Sequence, residues 1–474
     1  MRDPTTLASV FECRRKPSAW GERPRILVCN FAATAYSHMS QHLQRITKMD
    51  TEMQTTNGAS SSVRGGTRPL YVVGMDAHSR KLAISIWEWS DPWQPRFVKR
   101  VPNFDIDSMV KTYKRHVPTD SITIIEASTN AFFLKQCLDD NGFAAAVVRS
   151  DAIAGKVKKR KVCDNSDADA LALAYMHGDI QEFVWCPTHD SAQYREIYFA
   201  YRDCKKDLTR VKHRIWSICS QNGKLSKLGG RGATMSHLRE ILQNEELDEV
   251  TRLRLEFLLD DCEHYEKRSE KIKALMAKCV LHNQSMLNLM QLPGVNYRTA
   301  FVTVAFIGDA KRFSSAAKMV AYSALAPTLN TSGEEETRAA KRGGTGKPLD
   351  NEGRHDLKYF YGEAGQTVLS SYSDTTLGKW GWRLAFKGKA RNEVASAIAR
   401  KLVTYAWHIL RGDPTPNREC EASYRRKLDF FCKRQKLRAE LKKQGYKTIA
   451  AFVETQVDRI YSGLPEFKPE NSAS

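Results

Sequence analysis

No two of the chain's eleven cysteines stand in a CxxC pair. That absence excludes a zinc ribbon and a disulfide framework, and scattered thiols suit a reducing cytosol. No apolar run reaches the roughly 20 residues needed to cross a bilayer, so the 474-residue chain reads as soluble, with no membrane partner. The N-terminus lacks the charged-then-apolar pattern of a secretory signal. Asp3, Glu12, Glu22 and Asp50 interrupt what a transit peptide would keep free of acids. Carboxylates are in the minority: 54 Asp and Glu face 74 Lys and Arg, a formal net charge of +20. An excess of that size favours a large polyanion as partner, nucleic acid first.

The length allows two or three domains with real cores. Residues 51–69, TEMQTTNGASSSVRGGTRP, are rich in Ser, Thr and Gly and read as a flexible linker. Residues 1–69 are therefore an extension and linker of unassigned role. Order begins with a buried strand at Leu70–Val73, an alternating strand through Leu82, Ile84 and Ile86, and a third strand in SITIIEAS. FFLKQCLDDNGF has helical spacing and AAAVVRS returns to strand, which makes residues 70–187 an α/β domain. Residues 188–286 change character. Leu255, Leu258, Cys262, Tyr265 and Ile272 form a three-and-four stripe amid dense charge, as in a coiled-coil-like helical arm. Residues 287–412 read as a second compact and mainly α-helical domain, and 413–474 as a basic helical tail.

Four acids of the first domain invite a common reading. Asp76 follows one buried strand and Glu126 ends another. Asp164 and Asp167, in CDNSDADALALA, begin a helix one turn apart and so face the same way. Asp169 projects to another face, toward solvent. Strand ends and a helix start can converge at a sheet edge. Two carboxylates about 5 Å apart there would repel by about 3 kcal/mol at an effective dielectric of about 20. A hard divalent cation removes that cost, Mg²⁺ being the natural occupant. Two such ions can clamp a phosphodiester. Taken singly, each acid also reads as a turn or cap residue. Beside them KVKKRK puts Lys156, Lys158, Lys159, Arg160 and Lys161 in six positions, suited to a phosphate backbone or simply to a solvated loop.

The order GMDAHS, IEAS, CDNSDADALALA resembles the RuvC-like domain of the DEDD-type insertion-sequence transposases, the IS-one-ten group with the Piv-type invertases among its relatives. Asp164, Asp167, Ala168, Leu171 and Ala172 fill that group's Asp-x-x-Asp-Ala-x-x-Leu-Ala pattern. Leu292-Pro293-Gly294-Val295, Gly308-Asp309, Arg312-Phe313, Ala321-Tyr322 and Ser332-Gly333 are similar to its C-terminal transposase domain. The resemblance spans about residues 70–412. It implies an α/β RuvC/RNase H-like domain, a helical segment and a helical transposase domain.

The resemblance further implies metal-dependent DNA strand cleavage and exchange. Asp76, Glu126, Asp164 and Asp167 would bind two Mg²⁺ ions, with Mn²⁺ as the substitute. Ser332, which read alone is a turn residue, would be the nucleophile. DNA at element ends and target, an element-encoded non-coding guide RNA and a homodimer or homotetramer would be its partners, in the bacterial cytoplasm at the nucleoid.

Contacts to nucleic acid are expected from the basic tail, from the 191–222 helix through Arg195, Arg202, Lys205, Lys206, Arg210, Lys212 and Arg214, and from Lys341 and Arg342. The turn at Gly294 can offer backbone N–H groups to a phosphate, or be a plain helix–helix turn. GGTGKP lacks the Ser or Thr that a P-loop carries after its Lys. Two rival readings remain at this level: a junction-resolving nuclease using water, and a non-catalytic nucleic-acid-binding protein.

Overall fold

The computed structural model describes residues 69–89, 95–149, 164–180, 183–224, 235–244, 246–327, 352–413 and 418–464, without the side chains of 164–166 and 244. The chain divides at Leu70, and the elements below belong to the unit that begins at Tyr71.

That unit opens with a six-stranded mixed sheet: β1 (Tyr71–Ala77), β2 (Lys81–Glu88), β3 (Arg96–Asp105), β4 (Ser121–Glu126), β5 (Ala144–Val148) and β6 (Phe183–Val184). The spatial order is β3-β2-β1-β4-β5-β6. β1, β2 and β3 form an antiparallel meander, β4 and β5 add parallel strands beside β1, and β6 closes the sheet antiparallel to β5. β1 runs past the expected Leu70–Val73 through Asp76, because the tight turn to β2 extends the pairing to Ala77. β3 was not expected at all. Its residues are nearly all exposed or half-buried, so it leaves no hydrophobic signature.

Three helices cover the sheet: α1 (Met109–His116), α2 (Ala131–Asp140) and α3 (Asp164–Met176). Strand alternation divides the labour. Val73, Met75, Ile84 and Ile125 pack with Met109, Tyr113, Leu134 and Leu138 of α1 and α2. Val72, Ile122, Ile124 and Val148 pack with Leu171, Ala172 and Met176 of α3.

Two 33-residue helices follow, α4 (His189–Gln221) and α6 (Glu249–Leu281), with the short α5 (Met235–Asn244) between them. Each long helix begins on a capping side chain: Thr188 Oγ1 accepts from Ser191 N, and Asp248 Oδ1 from Thr251 N. At 1.5 Å per residue each is about 50 Å long. Their far halves bury Leu208, Ile215, Leu255 and Cys262 together with Leu238 and Ile241 of α5. Their near halves, through Tyr198, Tyr201, Met276 and Val280, are rooted in the largest core. That core is built by α7 (Gln284–Leu289), α8 (Tyr297–Ile307), α9 (Ala316–Tyr322), α10 (His355–Ser371), α11 (Thr376–Phe386) and α12 (Arg391–Arg411). The segment read as a basic tail contributes α13 (Glu421–Arg434), α14 (Arg438–Lys443) and α15 (Ile449–Tyr461), whose Tyr424, Leu428, Phe431, Phe452 and Val457 belong to the same core. The architecture is thus an α/β domain followed by a mainly helical region. Among the described residues no helix is long and apolar enough to cross a membrane.

Candidate catalytic edge and nucleic-acid groove

β1 and β4 run parallel with Met75 opposite Ile125. The next register position holds Asp76 on one strand and Glu126 on the other. By alternation both share a face with Gly74 and Ile124, the face that α3 covers. A Cβ on Gly74 would lie 1.8 Å from the Ala168 carbonyl oxygen and 3.0 Å from Ala172 N. Glycine is therefore what allows the helix backbone to rest on the strand. The helix runs back along β1: Ala168 sits on Gly74, while Met176 joins Val72 and Ile122. Its first turn, with Asp164 and Asp167, accordingly lies at the strand ends that carry Asp76 and Glu126. Asp167 is half-buried, and Asp76, with a side chain 14% exposed, has Oδ2 3.3 Å from His78 Nε2.

Asp169 is half-buried and paired rather than turned to open solvent. It accepts from Ser85 Oγ on β2 and from the Arg100 guanidinium on β3, while Trp87 Nε1 donates to Ser85 Oγ at 2.8 Å. The pair fastens α3 across the meander. Arg100 went unnoticed in the sequence because it lies on the strand without a burial pattern.

Among the described residues no group of three or more His, Cys, Asp and Glu is gathered closely enough to hold a metal ion. Asp76, Glu126 and Asp167, the three expected acids whose side chains are described, are therefore not gathered into such a group, and the side chain of Asp164 lies outside the described residues. The donors of the four-acid set are all carboxylates, which suits a hard divalent cation. Lys156, Lys158, Lys159, Arg160, Lys161, Ser332, Lys341 and Arg342 also lie outside the described residues.

The structure does bring five other expected residues together, Lys206 and Arg210 among them. Arg202, Lys205 and Gly294 line one groove of about 870 Å³, with Lys206, Arg210, Arg298 and Tyr359. Arg202 stacks 4.7 Å from the Phe199 ring, and Arg298 Nη1 donates to Tyr201 Oη at 3.1 Å. Asp356 and Glu363 are the acids of the lining; Asp356 accepts from Tyr198 Oη at 2.6 Å. Arg214 is not part of this lining.

Arg195, expected as a contact, is only 7% exposed. Its Nε donates to Ala305 O at 2.8 Å and its Nη2 to Phe306 O at 3.2 Å, closing the last turn of α8 with Arg312, whose Nε donates to Ile307 O at 3.0 Å.

A second cavity of about 620 Å³ shares Asn296 and Arg298 with the groove and adds Lys273, Lys427 and Arg434. The Pro293-Gly294 turn, whose Gly294 lines the groove, leads into the shared Asn296. Gly294 has φ 75°, and a Cβ there would meet Ala364 O at 2.4 Å, so the turn requires glycine. Asn296 then caps α8, its Oδ1 accepting from Arg298 N at 2.9 Å and Thr299 N at 3.1 Å. Lys427 Nζ donates to Leu292 O at 2.6 Å and Val295 O at 3.2 Å, clamping both ends of the turn.

Comparison with known proteins bears on this same region. Residues 286–346 match the model of the transposase IS116/IS110/IS902 family. Over 305 residues, 60% of this chain and 74% of the relative, the sequence is 24% identical to y4qE of Sinorhizobium fredii, a protein that bears the name of a transposase. The match takes in α8, α9 and the Gly294 turn. From residue 286 to 346, then, this chain carries a stretch similar to the transposase domain of the IS110 family.

Proposed function

We propose that this protein is a DNA transposase or recombinase that cuts and rejoins strands at a divalent-cation site. One observation supports the reading: α3 rests closely on Gly74 of β1, two residues before Asp76, and the acids Asp164 and Asp167 stand in the first turn of that helix. Asp76, Glu126, Asp164 and Asp167 would hold two Mg²⁺ or Mn²⁺ ions. A bound metal would supply polarisation of the scissile phosphate.

The chain's own residues supply the rest. Ser332 Oγ bonds to phosphorus as a sugar hydroxyl leaves, and the new ester keeps the strand ready for rejoining. The groove beside Gly294, with Arg202, Lys205, Lys206 and Arg298, holds the phosphate backbone. A non-coding guide RNA, a homodimer or homotetramer, and a cytoplasmic, nucleoid-associated setting complete the reading. The similarity to IS110-family transposases supports it.

Labelled DNA incubated with protein and Mg²⁺, then resolved under denaturing conditions, tests the proposal. Ser332→Ala is expected to lose the denaturation-resistant protein–DNA adduct. Asp164→Asn is expected to lose metal-dependent cleavage while keeping its circular dichroism spectrum. Unaltered cleavage by Ser332→Ala would favour a water-using junction nuclease, and normal activity of Asp164→Asn would remove the metal site.

A further inference from the structure

Helix α11 presents two opposite faces. On its inner side a Cβ on Gly378 would lie 2.0 Å from Tyr372 O, and one on Gly381 2.6 Å from Ile398 Cδ1. The helix is therefore pressed against its neighbours and held rigidly. On the outer side Lys379, Trp382, Arg383 and Phe386 recur at intervals of three and four. Phe386 is 83% exposed, the most of any large hydrophobic among the described residues, and Trp382 is 37% exposed. The two rings lie 5.9 Å apart with 38° between their planes. Trp382 Nε1 donates to Leu369 O at 3.2 Å, which fixes the indole.

Leaving such a surface in water is unfavourable unless something covers it. The surrounding charge says what. From Thr376 to Asn392 the chain carries Lys379, Arg383, Lys387, Lys389 and Arg391 and no Asp or Glu. Exposed aromatic faces on a stretch of chain rich in cations match unstacked bases on a phosphate backbone, because every base offers a π-face and every linkage a negative charge. A fully paired duplex hides its base faces, so it would engage the cations alone.

We infer that the outer face of α11, with Phe386 and Trp382 at its centre, is a stacking platform for an unpaired DNA strand. The inference rests on the proposed strand-exchange function, since cutting and swapping strands must leave a stretch of DNA unpaired. The platform holds that stretch apart from the groove beside Gly294.

Fluorescence anisotropy with the full chain provides the test, using single-stranded DNA, duplex DNA and single-stranded RNA of one sequence. Phe386→Ala, a change at an exposed position that leaves the core untouched, is expected to weaken single-stranded DNA binding by about tenfold. Duplex binding should hold, and Phe386→Tyr should restore the loss. Unchanged single-strand affinity in Phe386→Ala overturns the platform. A larger loss for RNA than for DNA overturns the choice of strand. A change in oligomeric state by light scattering would instead make this face a contact between copies. Lys205→Gln with Lys206→Gln, made in parallel, separates the two proposals. If that pair weakens duplex binding while Phe386→Ala is silent, only the platform fails; if both are silent, DNA binding at the groove fails as well.

Discussion

Lys427 shows how one side chain can hold the Pro293-Gly294 turn at a cost that depends on pH. Its ammonium donates to Leu292 O and Val295 O, the carbonyls either side of Pro293-Gly294, and burial pushes its pKa down to about 7 from the ordinary 10.5. Between those two values the unfolded chain binds a proton that the folded chain does not, so this residue makes stability rise with pH across that window. The slope approaches about 1.4 kcal/mol per pH unit where the two states differ by a whole proton. Urea unfolding of the native chain and of Lys427→Met from pH 7 to 10 should show the native chain gaining on the variant as pH rises. Parallel curves would mean the ammonium is as well solvated folded as unfolded. At the same scale Arg195 and Arg202 are instructive. Seven residues apart, they lie on one side of α4, yet α8 ends over the first and leaves the second in the groove. Helical spacing predicts the shared side; only the tertiary neighbour decides which arginine is buried.

Among the elements, the contact between α3 and β1 governs the proposed site. Gly74→Ala must push the Ala168 carbonyl away from a Cβ that would otherwise lie at 1.8 Å, and backbone on both sides cannot yield cheaply. We expect a loss of about 3 kcal/mol in chemical denaturation, with cleavage falling further than DNA binding because the turn bearing Asp167 is displaced from Asp76. Gly362→Ala, where nothing lies within 4 Å of the added Cβ, should be neutral or stabilising by up to about 1 kcal/mol. Equal stability of Gly74→Ala and the native chain would show that the helix has room to move. This element was partly legible from the sequence. Apolar runs ending in Asp76 and Glu126 marked the strands, and Ala168, Leu171 and Ala172 marked the face of α3. The tether from Asp169 to Arg100 was not legible, because its partner stands 69 positions away on an edge strand whose exposed residues carry no period. The packed tail was hidden differently: Tyr424, Leu428, Phe431 and Cys432 form a helical stripe, but the many cations between them made the segment read as a basic helical tail. Ser332 and the KVKKRK stretch remain sequence readings, since both lie outside the described residues.

At the scale of the whole molecule, the question is whether the +20 charge acts diffusely or through particular surfaces. Counterion release separates the two. Each phosphate neutralised by a localised cation adds about −0.9 to the slope of log affinity against log salt on duplex DNA. The groove offers Arg202, Lys205, Lys206, Arg210 and Arg298, which bounds its share at about −4.5. Arg202 and Arg210 already bridge Asp203 at 3.2 Å and Asp207 at 2.7 Å, so the two lysines and Arg298 should dominate. Replacing Lys205 and Lys206 by Gln is therefore expected to flatten the slope by nearly two and to weaken binding similarly for unrelated duplex sequences, as phosphate contacts do. Lys267→Gln removes the same charge from an exposed position of α6 outside both cavities, beside Glu263, and should leave the slope as it was. Titrations across salt concentrations with all three proteins decide the matter. If Lys267→Gln flattens the slope per charge as much as the groove pair does, DNA is drawn by net charge alone and the groove is not its track.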